Sequence, residues 1–144
     1  MIKFGPSGNC ESFYADGLKH SYQAAEWLSK KGLNAYEYSF GKGILLSDEM
    51  AAKIGEEMKK YGITISLHAP YFINFANPDD EMVEKSYGYV IDSLKKLRIL
   101  GGTHLVVHPA SCGKMERSEA VSLTKKRLNI LKERIIAEGL DDMY

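Results

Sequence analysis

The chain has 144 residues, enough for one domain that buries roughly two thirds of the surface its unfolded form exposes. A hydrophobic content of 44% and a charged content of 26% exclude a disordered or fibrous class, and 19 basic against 19 acidic residues leave no net field for nucleic acid or an acidic membrane. No apolar run is long enough to span a bilayer, the N-terminus lacks signal-peptide character, and Cys10 and Cys112 are too few for a disulfide framework, so a cytoplasmic protein with reduced thiols is expected.

A rhythm of short apolar strand, loop and amphipathic helix recurs along the chain. Residues 2–5 read as a brief first strand closed by Pro6, and 6–17 as a glycine-bearing loop. A helix is expected over about 20–31, with Ala24, Ala25, Trp27 and Leu28 inward and Gly32 as its left-handed stop. Residues 34–40 form the second strand, followed by the turn Gly41-Lys42-Gly43. Ser47, Asp48 and Glu49 cap a helix that places Ala51, Ile54, Met58 and Tyr61 on one face before Gly62 ends it. The β-branched alternation of 63–67 predicts a third strand that delivers His68.

A loop of eight residues, 69–76, then carries Tyr71, Phe72 and Phe75, which either cap the core or serve a partner. Asn77 reads as a helix cap, Pro78 as the first helical residue and Asp79 as a favourable charge at the helix start. The helix over 79–100 carries a stripe of Val83, Tyr87, Val90, Leu94 and Leu97. Gly101-Gly102 stop it, and 103–107 form a fourth strand expected to be buried on both faces. It delivers His108-Pro109, a loop follows, and a last helix over about 118–138 should turn Val121, Leu128, Leu131 and Ile135 inward. The basic clusters Lys59-Lys60, Lys95-Lys96-Arg98 and Lys125-Lys126-Arg127 fall in helical patterns and read as solvated faces.

Four consecutive βα units imply parallel strands joined by right-handed crossovers. A doubly wound sheet would need a Gly-x-Gly-x-x-Gly turn after the first strand, which Gly5-Pro6-Ser7-Gly8 only superficially resembles. The pattern therefore favours a (β/α)₈ barrel, whose full copy takes roughly 250 residues. The 1–144 chain is expected to be its N-terminal half, a single domain of about four βα units with a parallel sheet and helices on the outer face. The open edges and concave face of such a half predict a homo-oligomer that covers them.

His68 and His108 each end an apolar strand, so both should point into the C-terminal mouth where barrels keep their active sites. Adjacent parallel strands lie roughly 4.8 Å apart, close enough for two imidazoles to share one metal such as zinc. His20 and His104 read as structural, and Cys10 and Cys112 as inert thiols. Glu37, near the mouth end of its strand, is either an acceptor orienting a ligand histidine or an edge carboxylate.

The run His68-Ala69-Pro70-Tyr71-Phe72-Ile73-Asn74-Phe75-Ala76-Asn77-Pro78 resembles the segment after the third strand of the endonuclease IV family of apurinic/apyrimidinic-site endonucleases, and Leu105-Val106-Val107-His108-Pro109 resembles its fourth strand. The resemblance extends in strand and helix order over the whole chain. It implies a metal-dependent phosphodiesterase that cleaves DNA 5′ to abasic sites with a trinuclear zinc cluster. On it, His68 and His108 match two ligands of one zinc, with manganese the second candidate metal. Tyr71 and Phe72 match side chains that press into the DNA at the lesion, and Lys42 stands in the loop where the family often has a DNA-inserting arginine. The family's other ligands come from the fifth strand onward, so this chain is expected to hold half a site and to be catalytically weak. A sugar isomerase or epimerase on the related barrel, and a non-catalytic half-barrel that works by assembly, remain the alternative readings.

Overall fold

In the computed structural model, residues 2–143 are described; Tyr144, where a fifth strand was expected to start, lies outside them. Three parallel strands, β1 (Ala35–Ser39), β2 (Thr64–His68) and β3 (His104–Val106), lie side by side in that order. Helix α3 (Asp48–Lys60) links β1 to β2, α4 (Asp80–Ile99) links β2 to β3, and α5 (Arg117–Ala137) follows β3. This is the partial (β/α) barrel that the strand and helix rhythm predicts.

Before β1 the structure departs from expectation. Segment 4–8 runs alongside β1 but makes only one bridge, Ser7 to Glu37. The Phe4 and Pro6 carbonyls accept from the Ala35 and Glu37 amides, and the Gly8 amide donates to the Glu37 carbonyl. Proline at position 6 has no N–H to return to β1, so the ladder lapses after a single rung. Gly5 lets the two backbones touch, since a Cβ there would lie 1.6 Å from the Ala35 carbonyl oxygen.

Within the expected loop, Glu11–Ala15 forms a short helix, α1, that buries Phe13. The helix expected over 20–31 is divided into a 3₁₀ turn, Ser21–Gln23, and α2, Ala24–Lys30. The Gln23 side chain holds the entrance by accepting from the Lys19 and His20 amides, an interaction that favours the tight turn before the α-helix begins.

Ser47 caps α3 as expected, its hydroxyl accepting from the Met50 amide at 3.2 Å. Gly62, at φ 69°, ends it and turns the chain into β2. The cap of α4 is Asp79, which accepts from the Glu81 amide, whereas the Asn77 side chain accepts from the Asp79 amide and so shapes the turn before the helix. Asn77, expected as the cap, instead makes an Asx turn two residues before it, and Asp79 takes the cap.

The strands alternate strictly. Ile65 and Leu67 of β2 are buried against the helices, whose stripes of Ile54 and Met58 and of Val83, Tyr87, Val90, Leu94 and Leu97 complete the core. Each such side chain contributes about 1.5–3 kcal/mol on burial. Ladder partners share a face, so Glu37, Ser66 and His104 lie in one row on the opposite, concave face.

Two burial expectations are overturned at the C-terminal side. The fourth predicted strand is not buried on both faces, because no strand lies beyond β3 among the described residues and Val106 is 40% exposed. Helix α5 buries Ala120, Thr124 and Leu131, with Ile135 packed against the core, but Val121 is 58% exposed and Leu128 is 37% exposed. Helical spacing shows that α5 has an apolar side; which part is covered depends on a neighbour. No helix among the described residues is long and apolar enough to cross a membrane.

Candidate metal centre at the strand ends

His68 is the last residue of β2 and His108 lies two residues beyond the end of β3, on the same concave face. The ladder pairs His68 with Val106, and the Ala69 amide donates to the Val106 carbonyl at 2.9 Å. That bond keeps the strands together up to the point where both histidines leave the sheet. Their Nε2 atoms lie 3.0 Å apart, with ring centroids 4.9 Å apart and a 44° tilt.

The Nδ1 of His68 lies 3.0 Å from the Ala69 carbonyl oxygen. Since a carbonyl only accepts, Nδ1 carries a proton, and in the neutral ring the lone pair is left on Nε2. Two Nε2 lone pairs do not face one another at such a distance unless His108 donates a proton there or a cation lies between them. Two nitrogens on a tetrahedral zinc, each at about 2.0–2.1 Å, are about 3.3 Å apart. The donor pair therefore fits a metal after an adjustment of a few tenths of an ångström. Among the described residues no group of three or more histidine, cysteine or carboxylate side chains is placed to hold a metal. As a donor pair, the two imidazoles would fill two positions of a tetrahedral set.

Glu37 does not touch either imidazole. Its Oε1 accepts from the Ser7 hydroxyl at 2.6 Å, and its ladder partner is Ser66, two residues before His68. His104, paired with Ser66, occupies the same row, and Cys10 and Cys112 are free thiols outside the histidine pair. Lys42 is exposed in the turn after β1, whose start is tied to this end of the sheet by the Phe40 amide donating to the His68 carbonyl.

The three loop aromatics divide. Phe75 is fully buried, its ring 5.2 Å from Tyr87, and belongs to the core. Tyr71 is 65% exposed and Phe72 is 40% exposed. They stack edge to face on each other, and Phe72 rests edge-on against Tyr89 of α4 at 4.8 Å. A pair of large rings thus stands out from the mouth loop with its base braced by a helix.

What holds that loop includes a residue the sequence pattern misassigns. Arg127, read as part of a solvated basic cluster, has a side chain only 12% exposed and donates to the Phe75 and Asn77 carbonyls at 2.9 and 2.7 Å and to Asp80 at 2.8 Å. The Tyr87 hydroxyl donates to the Arg127 carbonyl. Arg134 forms a two-point ion pair with Glu84 over the Tyr87 ring, and its guanidinium holds the Glu84 carboxyl below its usual pKa. Lys96 of another such cluster reaches across to Asp48. Asn74 joins the two mouth loops, its Oδ1 accepting from the Ala76 and Ser111 amides, while the Phe75 amide donates to the Pro109 carbonyl. Only the arginine facing two free carbonyls at the end of a βα loop could have signalled this clamp, and such carbonyls are invisible in sequence.

Parallel strands with helices on one side and two histidines converging at the carboxyl ends define a partial (β/α) barrel. The chain belongs to the family described as Xylose isomerase-like TIM barrel, which it matches over residues 25–141. It is 34% identical over 132 residues to an uncharacterised protein of Methanocaldococcus jannaschii, covering 90% of this chain and 44% of that one. It is 40% identical over 70 residues to the "Probable endonuclease 4" of Thermotoga maritima, covering 46% of this chain and 24% of that protein. Among solved structures, endonuclease IV from Thermus thermophilus aligns with a TM-score of 0.52 at 25% identity, over 77% of this chain and 42% of that one. The Escherichia coli 3-keto-D-glucoside 4-epimerase aligns with a TM-score of 0.70 at 13% identity, over 96% of this chain and 54% of that one, a likeness of fold alone. The chain spans about half, or less, of the length of these relatives.

Proposed function

We propose that this chain provides the first half of the mouth of a zinc-dependent phosphodiesterase acting at abasic sites in DNA. The observation that carries the reading is the convergence of two imidazole Nε2 atoms, 3.0 Å apart, beneath a braced and exposed aromatic pair. The local identity with endonuclease 4 proteins supports it over a sugar epimerase, since the epimerase likeness is one of fold. His68 and His108 hold the metal, with manganese the second candidate. When bound, such an ion lowers the pKa of water and neutralises charge on a phosphate.

The chain's own residues do the rest of the recognition. Tyr71 and Phe72 enter the duplex where a base is missing, because unstacking, which costs a few kcal/mol per step, is cheapest at a damaged site. Lys42 meets the phosphate backbone as a point charge. Two histidines leave the remaining coordination positions to donors outside this chain's described residues, so the chain alone should incise DNA weakly.

The test measures zinc affinity by chelator competition, and separately the anisotropy of a duplex carrying a tetrahydrofuran abasic analogue against the intact duplex. His68→Ala and His108→Ala should each weaken zinc at least tenfold, and Tyr71→Ala/Phe72→Ala should abolish the preference for the abasic duplex. Zinc binding that is indifferent to both histidine changes, or strong incision by this chain alone, would overturn the proposal; turnover of ketoses in its place would favour the epimerase reading.

A further inference from the structure

We propose that Tyr89 of α4 is a positioning residue for the exposed aromatic pair, fixing the direction in which Tyr71 and Phe72 meet an abasic site. The inference rests on the DNA reading above and adds to it a residue outside the mouth loops. Its starting point is the turn that carries the pair. Pro70 and Ile73 are buried, and the Ile73 amide faces the Pro70 carbonyl at 3.5 Å. Tyr71 and Phe72 are therefore the two central residues of a turn whose ends are sunk in the core, and both remain exposed, at 65% and 40%.

The backbone beyond the turn is held by groups that touch neither ring. The Asn74 amide donates to the Ser86 hydroxyl at 3.2 Å, and the Asn74 Oδ1 accepts from the Ser111 amide at 3.1 Å. Arg127 donates to the Phe75 and Asn77 carbonyls. These bonds fix the path of the loop but not the χ1 and χ2 angles of the two corner side chains, which must be set by what the rings themselves meet.

What they meet is a chain of three rings. Tyr71 packs on Phe72 at 5.7 Å and 72°, and Phe72 packs on Tyr89 at 4.8 Å and 75°, both edge to face. Among the described residues Tyr71 has no other ring contact. Tyr89 joins this chain to the body of the protein, since it is half-buried and packed against the core. Two residues earlier, Tyr87 receives Phe75. Neighbouring tyrosines of one helix thus sort the loop aromatics, one into the core and one onto the rim. The space left by a missing base is a flat slot between two base pairs, and a ring enters it only when its plane lies along the bases. A ring free to turn must be ordered as it binds, at a cost in affinity, whereas a ring already held by its neighbour is not.

Two measurements test it. Anisotropy compares a duplex carrying a tetrahydrofuran abasic analogue with the intact duplex. Fluorine NMR of the chain labelled with meta-fluorophenylalanine reports the Phe72 ring, its signal assigned by its loss in Phe72→Leu. Tyr89→Leu and Tyr89→Met keep apolar packing against the core and remove the ring. Each should lower the preference for the abasic duplex by about threefold to tenfold, the scale of one edge-to-face ring contact. Each should also move the Phe72 signal toward that of the free amino acid. Zinc affinity and affinity for the intact duplex should stay at wild type, which a general loosening of the mouth would not allow. Tyr89→Phe keeps the ring and should match wild type in both readouts. A wild-type preference that survives loss of the ring, an unmoved Phe72 signal, or a Tyr89→Phe chain that behaves like Tyr89→Leu would overturn the role of Tyr89 and leave the DNA reading standing. A wild-type chain with no preference for the abasic duplex would overturn the DNA reading and this role with it.

Discussion

Replacing Arg127 by alanine removes the clamp that joins α5 to the end of the aromatic loop. The guanidinium donates to the Phe75 and Asn77 carbonyls and to Asp80. Hydrogen bonds from a charged donor are worth about 1.5–3 kcal/mol each, whereas the Asp80 pair, whose carboxylate side chain is 92% exposed, adds less than about 1 kcal/mol. Water can reach part of the site vacated by the side chain, so Arg127→Ala should destabilise by about 3 kcal/mol rather than the full sum. Arg127→Lys keeps the charge without the planar fork and should lose roughly half of that, and Asp80→Ala should change stability by less than about 0.5 kcal/mol. Urea unfolding supplies the free energies, and amide hydrogen exchange at Phe75 and Asn77 reports the loop itself. An Arg127→Ala loss below about 1 kcal/mol with undiminished loop protection would refute the clamp and return Arg127 to a solvated helix face.

Phe75→Ala should cost about 3–5 kcal/mol in urea midpoint terms, and Tyr71→Ala less than about 0.5 kcal/mol, since one ring is core and the other is solvated. Gly5→Ala should lift segment 4–8 off β1, seen as lost exchange protection at the Ala35 and Glu37 amides with β2 unaffected. Burial pushes the Tyr36 hydroxyl, which donates to Asn9, up to about 12. The unfolded tyrosine titrates near 10, so stability is complete below that pH and falls as pH rises toward 12, by on the order of 3 kcal/mol at most, as the unfolded chain releases the proton first. Tyr36→Phe should flatten this part of the alkaline unfolding curve.

The βα order, three of the four expected strands, the α4 stripe and the pairing of His68 with His108 were all legible in the residues. Each rests on short-range information. Two-residue alternation, helical spacing and glycine or serine at the ends of helices decide local structure, and two strands of one pattern must end at the same mouth. Proline at position 6 was equally visible, but its effect on the first strand was not, because the missing N–H matters only where β1 lies alongside.

What tertiary contact alone decided involves partners far away in the chain. Phe75 is core and Phe72 is not because Tyr87 receives one ring and Tyr89 braces the edge of the other. Arg127 is a clamp because carbonyls 50 and 52 residues earlier lie within its reach. Val121 and Leu128 are exposed because the strand that their side of α5 would cover is not among the described residues. Periodicity marks which residues could be buried, but burial itself is a property of the pair, and the second member is set by the fold.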